Sequence, residues 1–141
     1  MAYDVELMAA AEKATEHAYA PYSGFFVGAA LRTASGDMYT GANFENASYG
    51  ATICAERAAV ANAIAREPHH GAGIKIARLA VSVRTRAADR PRTAPPCGIC
   101  RQVIYEFGPD AVIDFLREGK IVSMSIADLL PEPFTLEPPG E

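Results

Sequence analysis

The chain has 141 residues, 50% of them apolar, which suits one domain built around one hydrophobic core. Its formal net charge of −4 offers no basic field to recruit a nucleic acid polymer or an anionic membrane surface. With neither a basic-then-apolar leader nor an apolar run long enough to span a bilayer, a cytoplasmic protein is expected.

Residues Val5 to Tyr19 are rich in Ala, Leu, Met and Glu, with Leu7, Met8, Ala11, Ala14 and Ala18 near helical spacing. A first helix ended by Pro21 is predicted there. Phe25 to Thr33 and Met38 to Phe44 are β-like runs joined by the turn-rich triplet Ser35-Gly36-Asp37, which predicts a hairpin. Ile53 to Arg66 returns to strong helix formers with Thr52 as N-cap, placing Cys54 and Glu56 in the first turn. Ile76 to Val83 reads as a buried strand and Gly98 to Phe107 as a second short helix that carries its cysteines at the start. Ala111 to Leu116 and Ile121 to Ser125 are two more strands around Glu118-Gly119-Lys120, followed by a short helix over 126–130. The tail after Pro131 is too rich in proline for a regular element. Strands alternating with helices imply an α/β sandwich with a mixed sheet, its first two strands antiparallel, in a single domain over residues 1–141.

The three cysteines lie in two short segments, Cys54-Ala55-Glu56 and Pro96-Cys97-Gly98-Ile99-Cys100. Together they offer three thiolates and one unligated carboxylate for a single zinc ion. A zinc with three protein ligands keeps one coordination position for water, so this pattern points to chemistry. Glu56 is then the group placed to carry protons. Helix starts lower thiol pKa and favour the metal-binding thiolate. Three thiolates on one Zn²⁺ leave a net charge of −1, which calls for a compensating cation. Arg57 and Arg101 both follow motif residues, and Arg57 is the choice for a guanidinium on a sulfur. A thioredoxin-like dithiol would leave Cys54 and Glu56 without a role. A closed structural zinc site needs one histidine from His17, His69 or His70, none at a spacing that pairs it with a cysteine.

The residues around these motifs resemble the short zinc-dependent cytidine deaminases. The matching stretches are Pro21-Tyr-Ser-Gly-Phe-Phe-Val-Gly-Ala-Ala-Leu31, Gly41-Ala-Asn-Phe-Glu-Asn-Ala-Ser-Tyr-Gly50, Thr52-Ile-Cys-Ala-Glu-Arg57 and Pro96-Cys-Gly-Ile-Cys-Arg-Gln-Val103, with Leu129 to Phe134 similar to the family's C-terminal segment. The resemblance implies a three-layer α/β/α sandwich with a mixed five-stranded sheet and one zinc per chain on Cys54, Cys97 and Cys100. It also implies hydrolysis of cytidine and 2′-deoxycytidine in pyrimidine salvage, with Glu56 as general acid/base.

The same resemblance marks Asn43 and Glu45 for the ribose 3′-hydroxyl, where alternate strand positions would turn an amide and a carboxylate to one side. It marks Phe25 for the base, Ala55 as a further substrate contact, and Ala47, Tyr49 and Phe134 as residues lent to a neighbouring subunit's pocket in a homotetramer. Arg84 to Pro96, holding Arg84, Arg86, Arg90 and Arg92, is longer and more basic than the usual connection. It is either a solvated loop or a contact for phosphate or a partner. Two other activities stand beside the leading one: deamination of a modified cytosine nucleoside or an antibiotic of the blasticidin S kind, and a structural zinc module that binds a partner.

Overall fold

The computed structural model describes residues 2–87 and 91–137. The first helix, α1, spans Val5–Ala14 and is capped by Asp4, whose carboxylate accepts from the Leu7 N–H at 3.0 Å. The predicted helix to Tyr19 stops early. The Thr15 hydroxyl donates to the Glu12 carbonyl at 2.6 Å, and the chain tightens into a 3₁₀ turn over Thr15–His17.

The hairpin forms from β1, Phe25–Thr33, and β2, Met38–Ala42. The second strand ends before the expected Phe44, which instead makes isolated bridges to Tyr19 and Ile53. Helix α2 runs Ala55–Arg66 with Cys54, and not Thr52, at its N-cap. The Ile53 bridge holds the chain extended until that point. Strand β3, Ile76–Thr85, continues two residues past the predicted end, because Phe25 and Phe26 of β1 pair with Thr85 and Arg84. Helix α3 covers Gly98–Phe107 as expected, with Cys97 as N-cap. Strands β4, Val112–Arg117, and β5, Lys120–Ser125, lead to the short helix α4, Ile126–Leu129.

The strands form one five-stranded sheet in the order β2-β1-β3-β4-β5. Only β3 and β4 run parallel, so the sheet is mixed. Period-two alternation divides its side chains between two layers. Ala29 and Leu31 of β1, with Leu79 and Val81 of β3, face the cluster holding Ala59, Val60 and Ala63 of α2 and Ile104 of α3. Ala30 and Ala80 face Leu7, Met8 and Ala11 of α1. This is the expected α/β/α arrangement.

Two features fix how the helices sit. A Cβ at Gly41 would lie 2.3 Å from the Ala59 nitrogen and 2.7 Å from the Ala55 oxygen, so only glycine lets α2 lie this close to β2. Asp114, fully buried on β4, accepts from Arg78 Nε at 2.8 Å and Nη2 at 2.7 Å, from Ser123 Oγ at 2.6 Å and from the Asp4 N–H at 3.0 Å. That network ties the start of α1 to the sheet. Among the described residues, no helix is long and apolar enough to cross a membrane.

Candidate active site

Helices α2 and α3 bring their N-termini together on the sheet's larger layer. Both are entered from irregular segments. Cys54 and Cys97 occupy the two N-cap positions and Cys100 lies in the first turn of α3. Cys54 Sγ is 3.8 Å from Cys97 Sγ, which is 3.5 Å from Cys100 Sγ. All three sulfurs lie within 4.8 Å of one another. Tetrahedral zinc with ~2.3 Å Zn–S bonds needs sulfurs about 3.8 Å apart, so this donor set fits the ion with little movement. Among the described residues the group contains these cysteines and no histidine. His69 is occupied elsewhere: its Nε2 meets the Ile64 carbonyl at 3.0 Å and its Nδ1 accepts from the N–H groups of Gly71 and Gly73.

Arg57, one turn along α2, directs Nη2 to Cys54 Sγ at 3.7 Å and to the Thr52 carbonyl at 3.2 Å. Its Nε is buried with no hydrogen-bond partner, so the Cys54 sulfur and the Thr52 carbonyl are the contacts that hold this cation. The Cys54 thiol is drawn down to about 5 by hydrogen bonding from the Cys100 thiol and then from Arg57, and the Cys100 thiol rises in return. Arg101 does not share this task. Its Nε and Nη1 donate to the Pro96 and Leu129 carbonyls at 2.8 and 2.9 Å, which fastens α4 to the loop before α3.

Glu56 is 5% exposed, and burial raises its carboxyl to about 7. A carboxyl poised near neutral pH both takes up and gives up protons. It lines a cavity of about 200 Å³ together with Cys54, Ala55, Cys97, Asn43 and Val27. Thr52 is shared with a second cavity of about 310 Å³, lined also by Tyr22, Ser23, Glu45 and Tyr49.

A model of the cytidine and deoxycytidylate deaminase zinc-binding region matches residues 1–115. The chain belongs to this zinc-binding deaminase family. It is similar to the cytidine deaminase of Halalkalibacterium halodurans, 41% identical over 133 residues that cover 93% of each chain. The blasticidin-S deaminase of Bacillus cereus is 32% identical over 113 residues, 77% of this chain and 76% of that one. Among solved structures, the cytidine deaminase of Burkholderia pseudomallei superposes with a TM-score of 0.79 at 41% identity, covering 94% of this chain and all of the other. That of Mycobacterium tuberculosis does so with 0.76 at 36%, covering 93% and 96%.

The deaminase-family residues expected at the site divide into three groups. Cys54, Cys97, Cys100, Glu56, Ala55, Arg57 and Asn43 gather around the smaller cavity, and Glu45 and Tyr49 line the adjoining one. Asn43 and Glu45 lie beyond the end of β2, and not on it. The Asn43 amide accepts from the Val27 N–H at 2.8 Å and donates to the Phe25 carbonyl at 2.9 Å, leaving one amide N–H to offer. Glu45 accepts from the N–H groups of Tyr22 and Ser23 at 3.0 and 3.1 Å and from the Ser23 hydroxyl. Phe25, Ala47 and Phe134 line neither cavity, and Phe25 and Phe134 are 47% and 68% exposed.

Sequence reasoning missed Thr52 as the wall shared by the two cavities, and Ser23 and Tyr22 as Glu45's donors. It also missed Gln102, whose amide grips the backbone of Phe134 from both sides, donating to its carbonyl at 2.7 Å and accepting from its N–H at 3.0 Å. Gln102 lies in the stretch Pro96 to Val103 that resembles the deaminases, but nothing in that stretch points to Phe134.

Proposed function

We propose that the chain hydrolyses cytidine and 2′-deoxycytidine to uridine and 2′-deoxyuridine, releasing ammonia, as a single catalytic domain. The observation that carries this reading is the buried Glu56 sharing one cavity wall with Cys54 and Cys97. Cys54, Cys97 and Cys100 would hold one zinc per chain, and zinc there supplies polarisation of a water for attack at C4 of the base. Glu56 takes one proton from the water as the C4–O bond forms and delivers it to N3, then takes the second from the new C4 hydroxyl and hands it to the amine as the C4–N bond breaks and the C4 carbonyl forms. Val27, Val81 and Val83 give the cavity apolar walls that exclude competing water from the base.

Asn43 and Glu45 hold the ribose 3′-hydroxyl, and a grip that ignores the 2′-hydroxyl accepts both sugars. Arg57 offsets the sulfur charge. Phe25 packs on the base, and Ala47, Tyr49 and Phe134 complete a neighbouring pocket when copies of the chain meet, in a homotetramer whose sites are shared. Exposed Tyr22, Phe25, Tyr49 and Phe134 support that assembly, since single chains gain from covering such rings. The setting is cytoplasmic pyrimidine salvage.

The loss of absorbance as cytidine becomes uridine tests the reading directly. Zinc-loaded protein that binds cytidine without turnover would overturn it. A second substrate, a modified cytosine nucleoside of the blasticidin S kind, is favoured by the similarity to the Bacillus cereus enzyme. The higher identity to the Halalkalibacterium halodurans enzyme puts cytidine first, and kcat/KM across a panel of cytosine nucleosides decides between them.

A further inference from the structure

The described arginines of the basic stretch from Arg84 to Pro96 each make contacts within the chain. Arg90 lies outside the described residues. Arg84 sits on the strand, its guanidinium 4.5 Å over the Phe26 ring and its Nε donating to Thr15 Oγ1 at 3.2 Å. Arg92 donates to the Glu118 carbonyl at 3.4 Å and accepts from the Gly119 N–H at 3.0 Å.

Arg86 does something different. Its Nη2 donates to the Pro21 carbonyl at 2.6 Å and reaches the Ala20 carbonyl at 3.4 Å. Its stem packs against Gly24, where the φ of +71° strains any side chain and an added Cβ would lie 3.3 Å from Arg86 Cγ. The turn clamped in this way is the one that turns the N–H groups of Tyr22 and Ser23 and the Ser23 hydroxyl onto the Glu45 carboxylate. Those Ser23 bonds first, and the Arg86 charge last, hold Glu45 below the ordinary carboxylate range. The other titratable groups on this cavity are the phenols of Tyr22 and Tyr49, set edge to face at 5.9 Å.

We propose that Arg86 is a positioning residue for sugar recognition: by fixing the turn from Ala20 to Gly24 it sets the orientation of the Glu45 carboxylate toward the nucleoside 3′-hydroxyl. This rests on the reading of Glu45 given above. Arg86 touches no reacting atom. Its effect is therefore confined to substrates that carry the hydroxyl Glu45 holds, which separates it from a residue that only stabilises the fold.

The test compares kcat/KM for cytidine and for 2′,3′-dideoxycytidine in the wild type, Arg86→Met and Arg86→Lys, with zinc content measured on each. Arg86→Met should lower kcat/KM for cytidine about ten-fold, the size of one lost charge-assisted hydrogen bond, and leave the dideoxy substrate within about two-fold. Arg86→Lys should recover most of the loss, and Arg86→Ala, which also removes the bond to the Pro21 carbonyl, takes the place of the methionine variant if that one does not fold. An equal loss on both nucleosides, or no loss on either, overturns the proposal. A wild type that does not turn over cytidine overturns the proposed function instead.

Discussion

The guanidinium of Arg57 lies 3.7 Å from Cys54 Sγ, with its Nε buried and unpartnered. Its charge is the nearest counterweight to three thiolates on one divalent ion. Arg57→Gln keeps the side chain polar and removes that charge, so zinc affinity should fall about 10- to 100-fold, the usual cost of losing a group that supports metal ligands. Competition with a chelator measures it. Unchanged affinity would show that the sulfur charge is balanced elsewhere.

Replacing His17, His69 and His70 one at a time by glutamine should leave one zinc per chain, because the sulfur trio includes no histidine among the described residues. Only His69→Gln should lower Tm, since its ring joins Ile64, Gly71 and Gly73. Metal analysis with thermal melts checks both. Zinc lost from any of the three would point to a closed structural site.

Gly41→Ala forces a methyl group to within 2.3 Å of the Ala59 nitrogen. Helix α2 must shift, and overpacking of this kind costs roughly 1–3 kcal/mol. Because α2 also carries Cys54 and Glu56, kcat/KM should fall at least about ten-fold along with Tm. A loss of stability with full activity would mean that the shift does not reach the helix start.

Asp4 caps α1 and pairs with Arg32 at 2.8 Å. The bond from Arg32 holds its carboxyl below the ordinary 3.8. A group lowered by folding contributes fully above its unfolded pKa and loses that contribution as pH falls through the folded value. The stability gap between wild type and Asp4→Asn, which keeps a cap but not the charge, should therefore be constant from neutral pH to about 5 and close below about 4. Asp4→Ala should cost about 1 kcal/mol more for the lost cap, a few degrees of Tm. Denaturant titrations across pH give both numbers.

Local patterns were legible where one segment settles its own conformation. The β-like run Phe25–Thr33 and the short helix Gly98–Phe107 were predicted to the residue. Cys54, Cys97, Cys100 and Glu56 were readable because ligand spacing and helix starts are short-range features. The end of α1 was not, since it depends on Thr15, which Arg84 reaches from 69 residues away. The hold of Ser23 on Glu45 and of Gln102 on Phe134 likewise joins segments 22 and 32 residues apart, beyond any window of sequence periodicity. Phe25 and Phe134 remain exposed on the single chain, so their expected roles have no short-range counterpart in the structure.

The most direct measurement is cytidine turnover and zinc content, taken together, for the wild type and for Glu56→Gln. One zinc per chain in both proteins, with turnover in the wild type slowed by about 10³-fold or more in the variant, is the expected result. A variant that keeps the wild-type rate, or loses its zinc, would contradict a carboxylate that moves protons without binding the metal.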